Sequence, residues 1–196
     1  MTDADRLLAL ARRRRSPYAF DGEPVDDDTL RTLFETARWA PSSYNEQPWR
    51  FVVGQRGDLA YASIADALRG RNPEWARTAP ILGLVLAAET FAQSGKANAH
   101  RRYDVGAAMM LLALAAEAVG LGVHTMAGVE ARTAAEALGV PDGVDAVAGF
   151  ALGRPAEDPA AVVPADLADR ALTPKPRRPL GETVFGPRWG APLLEG

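Results

Sequence analysis

With 196 residues, 47% of them hydrophobic, the chain can bury one real core without covalent staples and has the length of one ordinary domain. A net charge of −3 supplies no global field toward nucleic acid or an acidic membrane surface. The absence of cysteine excludes disulfides, thiolate chemistry and cysteine metal sites and fits a reducing compartment, and two histidines, His100 and His124, are too few for a histidine-built metal centre.

The N-terminus is charged from Asp3 and carries Arg12 to Arg15 where a secretory signal needs an apolar stretch, so a cytoplasmic protein is expected. Residues 3–14 are predicted helical, with Leu7, Leu8, Leu10 and Ala11 apolar and an arginine-rich end that suits the helix dipole. Ser16-Pro17 stops that helix. Asp26, Asp27 and Asp28 then offer N-cap and first-turn carboxylates to a second helix, whose stripe Leu30, Leu33, Phe34, Ala37 ends at Pro41. Trp49 to Val53 is predicted as a strand and 58–69 as a helix. Ile81 to Ala87, a near-continuous apolar run, reads as a strand covered on both faces. Ala88 to His100 is small and polar and reads as a mobile segment.

Tyr103 to Val119 is predicted as a long helix, apolar almost all round, with Val105, Met109, Leu112, Leu114 and Ala116 sweeping more than one face. Its apolar core, Val105 to Val119, falls short of the roughly 20 residues that span a bilayer. In a chain this small, a subunit interface is one natural way to bury every face of such a helix. Ala131 to Leu138 reads as a short helix and Val144 to Leu152 as a strand; from Arg154 the composition shifts to Pro, Ala and charge and reads as an extended tail. The mixture of α and β without strict β-α-β alternation predicts an α+β fold, a mixed sheet covered by helices.

Two stretches carry chemistry. Arg12-Arg13-Arg14-Arg15-Ser16 is either a solvated helix end or a phosphate site, since guanidinium forks and a hydroxyl match a phosphate in charge and donors. As a nucleic-acid signal it is poor, being one short cluster without interleaved aromatics. Pro41-Ser-Ser-Tyr-Asn-Glu-Gln-Pro-Trp49 is held stiff by its two prolines and carries small polar groups beside a flat apolar face. That combination suits a planar, heteroatom-edged ligand, although Pro, Ser and Asn are also ordinary turn residues. Gly120-Leu121-Gly122 is not a dinucleotide fingerprint, because it follows a helix and lacks the third glycine. A nicotinamide cofactor would have to stack on another ring.

The order Pro-Ser-Ser-x-Asn-x-Gln-Pro-Trp resembles the signature of the nitroreductase-like FMN-dependent oxidoreductases. Further matches follow along the chain: Arg14-Arg-Ser-Pro-Tyr-Ala-Phe20, Asn72 with Trp75 three residues on, Tyr103-Asp-Val-Gly-Ala107, and Lys175-Pro-Arg177. The resemblance spans Arg14 to Trp189. It implies a single domain over 1–196, helices on both faces of the sheet, a long central dimer helix, and a C-terminal segment, 154–196, wrapping a homodimer. It implies FMN, with Arg14, Ser16, Lys175 and Arg177 on the phosphate and Arg15 beside them. Pro41, Ser42, Ser43, Asn45 and Gln47 would line the flavin from the partner subunit, with Asn72 and Trp75 beside it and Ala127 and Gly128 offering a backbone N–H to N5. His124 reads as a packed or capping residue. The implied activity is ping-pong reduction of nitroaromatic or quinone acceptors by NAD(P)H, with no catalytic side chain and no metal. Dehalogenases, flavin-fragmenting enzymes and azoline-type dehydrogenases share the fold, and a flavin-binding protein without turnover is the reading from outside enzymology. The chain departs from many relatives at Tyr18, where they carry Arg or Lys near the N1 and O2 edge of the flavin, and at Trp75, where some carry Lys. A phenol donates one hydrogen bond and brings no charge.

Overall fold

The structure, a computed structural model, describes residues 1–194. Helix α1 (Asp3–Arg13) opens on a capping box, Thr2 with Asp5, and α2 (Asp27–Ala37) starts where Asp26 accepts from the Thr29 amide at 2.7 Å. Strand β1 (Trp49–Gln55) leads into α3 (Leu59–Asp66), capped by Asp58. Then come a short α4 (Asn72–Ala76), β2 (Ile81–Ala88), the 18-residue α5 (Arg101–Ala118), β3 (Gly122–Met126), α6 (Ala131–Ala137), β4 (Val144–Gly153) and α7 (Ala165–Leu172). The α+β class and the helix-covered sheet are as the sequence predicts. The strands lie in the order β1-β2-β4-β3 and pair antiparallel throughout.

Strand β2, buried at every residue but its last, alternates between two cores. Leu82, Leu84 and Leu86 face the layer of α3, α6 and α7, joined by Phe20, Trp75 and Leu167. Ile81, Val85 and Ala87 face α2 and α5, against Leu33, Leu112 and Phe150. Gly83 makes the second core possible, because a Cβ there would stand 2.1 Å from Phe150 Cζ.

Three elements were not legible as such. α4 and β3 are too short to show a period, and α7 lies in the stretch read as extended, where Pro164 opens the helix and Leu167 and Ala168 bury. From Asp169 to Leu194 no residue is buried. The segment after β2 folds back on itself: Phe91 N–H donates to Lys96 O at 2.9 Å, and fully buried Asn98 donates its amide to Glu89 O at 2.7 Å.

α5 corrects one expectation. Val105, Met109, Leu112 and Ala116 are buried within their own chain, so they belong to the fold's core. The face left outward is Tyr103 (83% exposed), Gly106 and Met110 (43% exposed). α1 likewise buries nothing, and Leu7 and Leu8 are exposed. Among the described residues no helix is long and apolar enough to cross a membrane.

Candidate functional site

The expected site residues fall into two groups. The first gathers at the β3 edge of the sheet. Directly after α1, Arg14 Nη1 lies 3.4 Å from Ser16 Oγ, and the next residue, Pro17, is buried against Gly122, where a Cβ would meet Pro17 Cγ at 2.4 Å. His124 Nδ1 stands 2.7 Å from Pro17 O, and since a carbonyl only accepts, Nδ1 carries the hydrogen and donates. The imidazole stacks on Trp75 (4.2 Å, 24°) and meets Tyr18 edge-on (4.7 Å). Burial holds the His124 pKa below its ordinary 6.5 against the opposing pull of the Pro17 carbonyl, and Arg170 and Arg14 depress it further. The ring is therefore a neutral clamp between β3 and the Arg14–Tyr18 segment, which agrees with its reading as a packed residue.

Asn72 joins the same group. Its Nδ2 donates to Gly128 O at 2.8 Å and its Oδ1 accepts from Trp75 Nε1 at 3.0 Å. The fit depends on glycine, since a Cβ on Gly128 would lie 2.5 Å from Asn72 Nδ2. Arg69 N–H also donates to Gly128 O, at 2.9 Å, while the Gly128 amide has no acceptor among the described residues. Ala127 beside it is exposed.

The second group is the Pro41–Trp49 loop, which enters the sheet at the opposite edge strand, β1. Tyr44, Asn45 and Gln47 all have left-handed φ, near +53°, +54° and +51°. Such backbone costs non-glycine residues about 1–2 kcal/mol each, and clusters of it concentrate at binding sites. The conformation is held by Gln47 N–H donating to Ser42 Oγ (2.9 Å), by Gln47 Nε2 donating to Asn45 O (3.2 Å), and by Ser43 N–H donating to Asp104 Oδ2 (3.1 Å). Asp104 is 3% exposed, a carboxylate inside the first turn of α5. Pro41 and Asn45 stay exposed, so the Asn45 carboxamide is free for a ligand.

α5 measures the gap between the groups. Its start holds the loop through Asp104, and near its end Glu117 holds Arg13 at 3.3 Å. Thirteen helical residues at 1.5 Å each separate the two anchors by about 20 Å. A single chain thus brings Arg14, Ser16, Tyr18, Asn72, Trp75 and Gly128 together and leaves Ser42, Ser43, Asn45 and Gln47 apart from them. Lys175 and Arg177 are exposed; Arg177 bonds its own backbone neighbours, and among the described residues neither reaches Arg14 or Ser16. Arg15 is exposed and unpaired among the described residues. The groove between α2 and β1, lined by Asp27, Leu30, Phe34 and Val53 among others, contains none of these residues.

Comparison with known proteins places the chain in a family. The sequence model of the nitroreductase family matches residues 11–83 and 62–154. The chain belongs to the nitroreductase family. As such it is a flavoprotein oxidoreductase in class. The 5,6-dimethylbenzimidazole synthase of Rhodospirillum rubrum is 34% identical over 177 residues, 79% of this chain and 84% of that one. The NADH dehydrogenase of Thermus thermophilus is 30% identical over 181 residues, 76% of this chain and 86% of that one. A crystal structure of an oxidoreductase containing FMN superposes with a TM-score of 0.85 at 34% identity, covering 93% of this chain and 92% of its own. A Desulfovibrio desulfuricans protein crystallised with FMN gives 0.73 at 28%, covering 93% and 97%.

Sequence reasoning missed two residues of this region. Asp104 had a visible signal, a lone carboxylate entering an apolar helix. Arg170, whose guanidinium stands 5.1 Å over the Tyr18 ring, had none, because its helix was not expected.

Proposed function

We propose that the chain is an FMN-dependent oxidoreductase that works as a homodimer, takes a hydride from NAD(P)H and passes it to nitroaromatic or quinone-type acceptors in a ping-pong cycle. The observation that carries the reading is the split of the candidate residues to the two ends of α5. In a two-fold dimer whose α5 helices pack antiparallel, the outward face that begins at Tyr103, Gly106 and Met110 would lie at the interface and the loop end of one helix would lie toward the Arg14 end of the other. The absence of a Cβ at Gly106 favours close approach. Each of two identical sites would then take its cations from one subunit and its strained polar loop from the other.

The residues suit FMN. Arg14 has no carboxylate partner among the described residues and shares its side-chain contact with Ser16, a donor pair for a phosphate. The Gly128 amide, without an acceptor among the described residues, is a donor for a ring nitrogen. Ser43 and Asn45 offer polar groups to a ring edge. FMN itself supplies the hydride chemistry, and the chain binds, orients and excludes water. The same cleft admits a nicotinamide and then an acceptor in turn, which is why no separate dinucleotide domain is needed.

The test is purification followed by turnover. A yellow protein should release about one FMN per subunit on heat or acid precipitation, with none held covalently, and should oxidise NAD(P)H steadily with a nitroarene or quinone. A colourless protein, or FAD in the supernatant, contradicts the reading. The likeness to a dimethylbenzimidazole synthase supports a second reading, in which bound FMN is itself consumed. Reduction under oxygen separates the two: loss of flavin absorbance in step with product favours consumption, and stable flavin over many NAD(P)H turnovers favours the first.

A further inference from the structure

Relatives that carry Arg or Lys two residues after the serine place a cation where this chain has Tyr18. The structure brings a different cation to that point. α7 carries Arg170 onto the face of Tyr18, 5.1 Å from the ring centroid. Its i−4 neighbour Asp166, the obvious partner, is already taken by Arg71, which also holds Glu74 at 2.8 Å. That network docks α7 and leaves Arg170 without a carboxylate among the described residues. Among the described residues eleven of the chain's twenty arginines hold acids: Arg6, Arg13, Arg38, Arg69, Arg71, Arg77, Arg101, Arg102, Arg132, Arg154 and Arg178. Arg14 and Arg170 are among the nine that do not, and both act on His124. Two guanidiniums with no carboxylate partner among the described residues thus flank one aromatic cluster.

We propose that Arg170 is the ligand-binding cation that replaces the charge missing at position 18, facing the edge of the flavin that becomes negative on reduction, while Arg14 with Ser16 faces the phosphate. The division follows from position. Tyr18 lies up to about 7 Å further along the chain than Ser16, beyond the reach of one phosphate group, and the guanidinium stacked on its ring keeps N–H edges free for an acceptor. The inference rests on the FMN reading above.

The experiment compares Arg170→Gln with the wild-type holoprotein by dye-equilibrated redox titration and by fluorescence titration of the apoprotein with FMN and riboflavin. Losing one charge-assisted contact made mainly to reduced flavin should cost about tenfold in the reduced-over-oxidised affinity ratio, which for a two-electron couple lowers the midpoint potential by about 30 mV. Oxidised FMN and riboflavin should bind within about threefold of wild type. Adding Tyr18→Arg to Arg170→Gln should restore the potential. If Arg170→Gln fails to fold, Arg170→Lys, which keeps charge but loses the fork, should shift the potential the same way by less. An unchanged potential overturns the proposal. So does a loss of FMN affinity with riboflavin binding intact, which would make Arg170 a phosphate ligand. A wild-type protein that binds no FMN would instead refute the reading beneath it.

Discussion

Replacing Arg14 with alanine separates a phosphate site from a solvated helix end within a single run of four arginines. The structure makes the four unequal. Arg13 is committed to Glu117 at 3.3 Å, Arg12 and Arg15 are exposed, and Arg14 is half-buried with Ser16 Oγ as its only side-chain partner among the described residues. A charge-assisted contact to phosphate is worth about 1.5–3 kcal/mol, so Arg14→Ala should weaken FMN by about one to two decades. Arg12→Ala should change affinity by less than about threefold. Titration of the apoprotein, followed by quenching of flavin fluorescence, reads both. Riboflavin lacks the phosphate, so the Arg14 effect should largely vanish with it. Equal and small effects of Arg12→Ala and Arg14→Ala on both ligands would refute the assignment and return the run to the solvent.

α5 gives a paired prediction: Met110→Arg should leave a folded chain that loses both dimer and FMN, whereas Leu112→Arg, inside the core at 0% exposure, should unfold it, as circular dichroism and light scattering would report. Asp104→Ala removes the acceptor of the Ser43 amide, and the loop it steadies should lose about 1–3 kcal/mol of order, read as weaker FMN binding with the thermal midpoint of the core less affected. His124 has a folded pKa below its unfolded 6.5. Its contribution is therefore intact above about pH 6.5 and lost as pH falls through the lower folded value. Urea midpoints should drop across that window, and His124→Gln should flatten the drop; an unchanged profile would count against the buried neutral clamp.

The sequence made the long elements legible because each carried its period in full. Leu30, Leu33 and Ala37 bury as their spacing demands, and the run from Ile81 needs cover on both faces and has it. The apolar sweep of α5 shows a helix that must be covered on several faces, yet Val105, Met109, Leu112 and Ala116 find that cover in the chain's own core and not at an interface. Composition tells that a face is apolar and not which neighbour covers it. Arg14, Ser16, Asn72 and Gly128 could be named together only through the family resemblance, and the structure brings those candidates to one edge of the sheet. What sequence could not give was the contact made by folding: Asp104 reaching the Ser43 amide across 61 positions, and Arg170 arriving over Tyr18 on a helix hidden in a proline- and alanine-rich stretch. The left-handed backbone at Tyr44 and Gln47 was equally invisible, because neither residue type advertises it.

The central claim is that each flavin site is built from two subunits, and mixed dimers test it most directly. Arg14→Ala damages only the cation end and Asn45→Ala only the loop end, so neither variant alone should bind FMN tightly. Co-expressed in equal amounts, half of the dimers should be mixed, each with one intact and one doubly damaged site, restoring tight binding to about a quarter of all sites. A fluorescence titration showing that tight quarter is the predicted result. If the mixture binds no better than either variant alone, while light scattering shows the subunits exchanged, each chain builds its own site and the shared-interface claim is wrong.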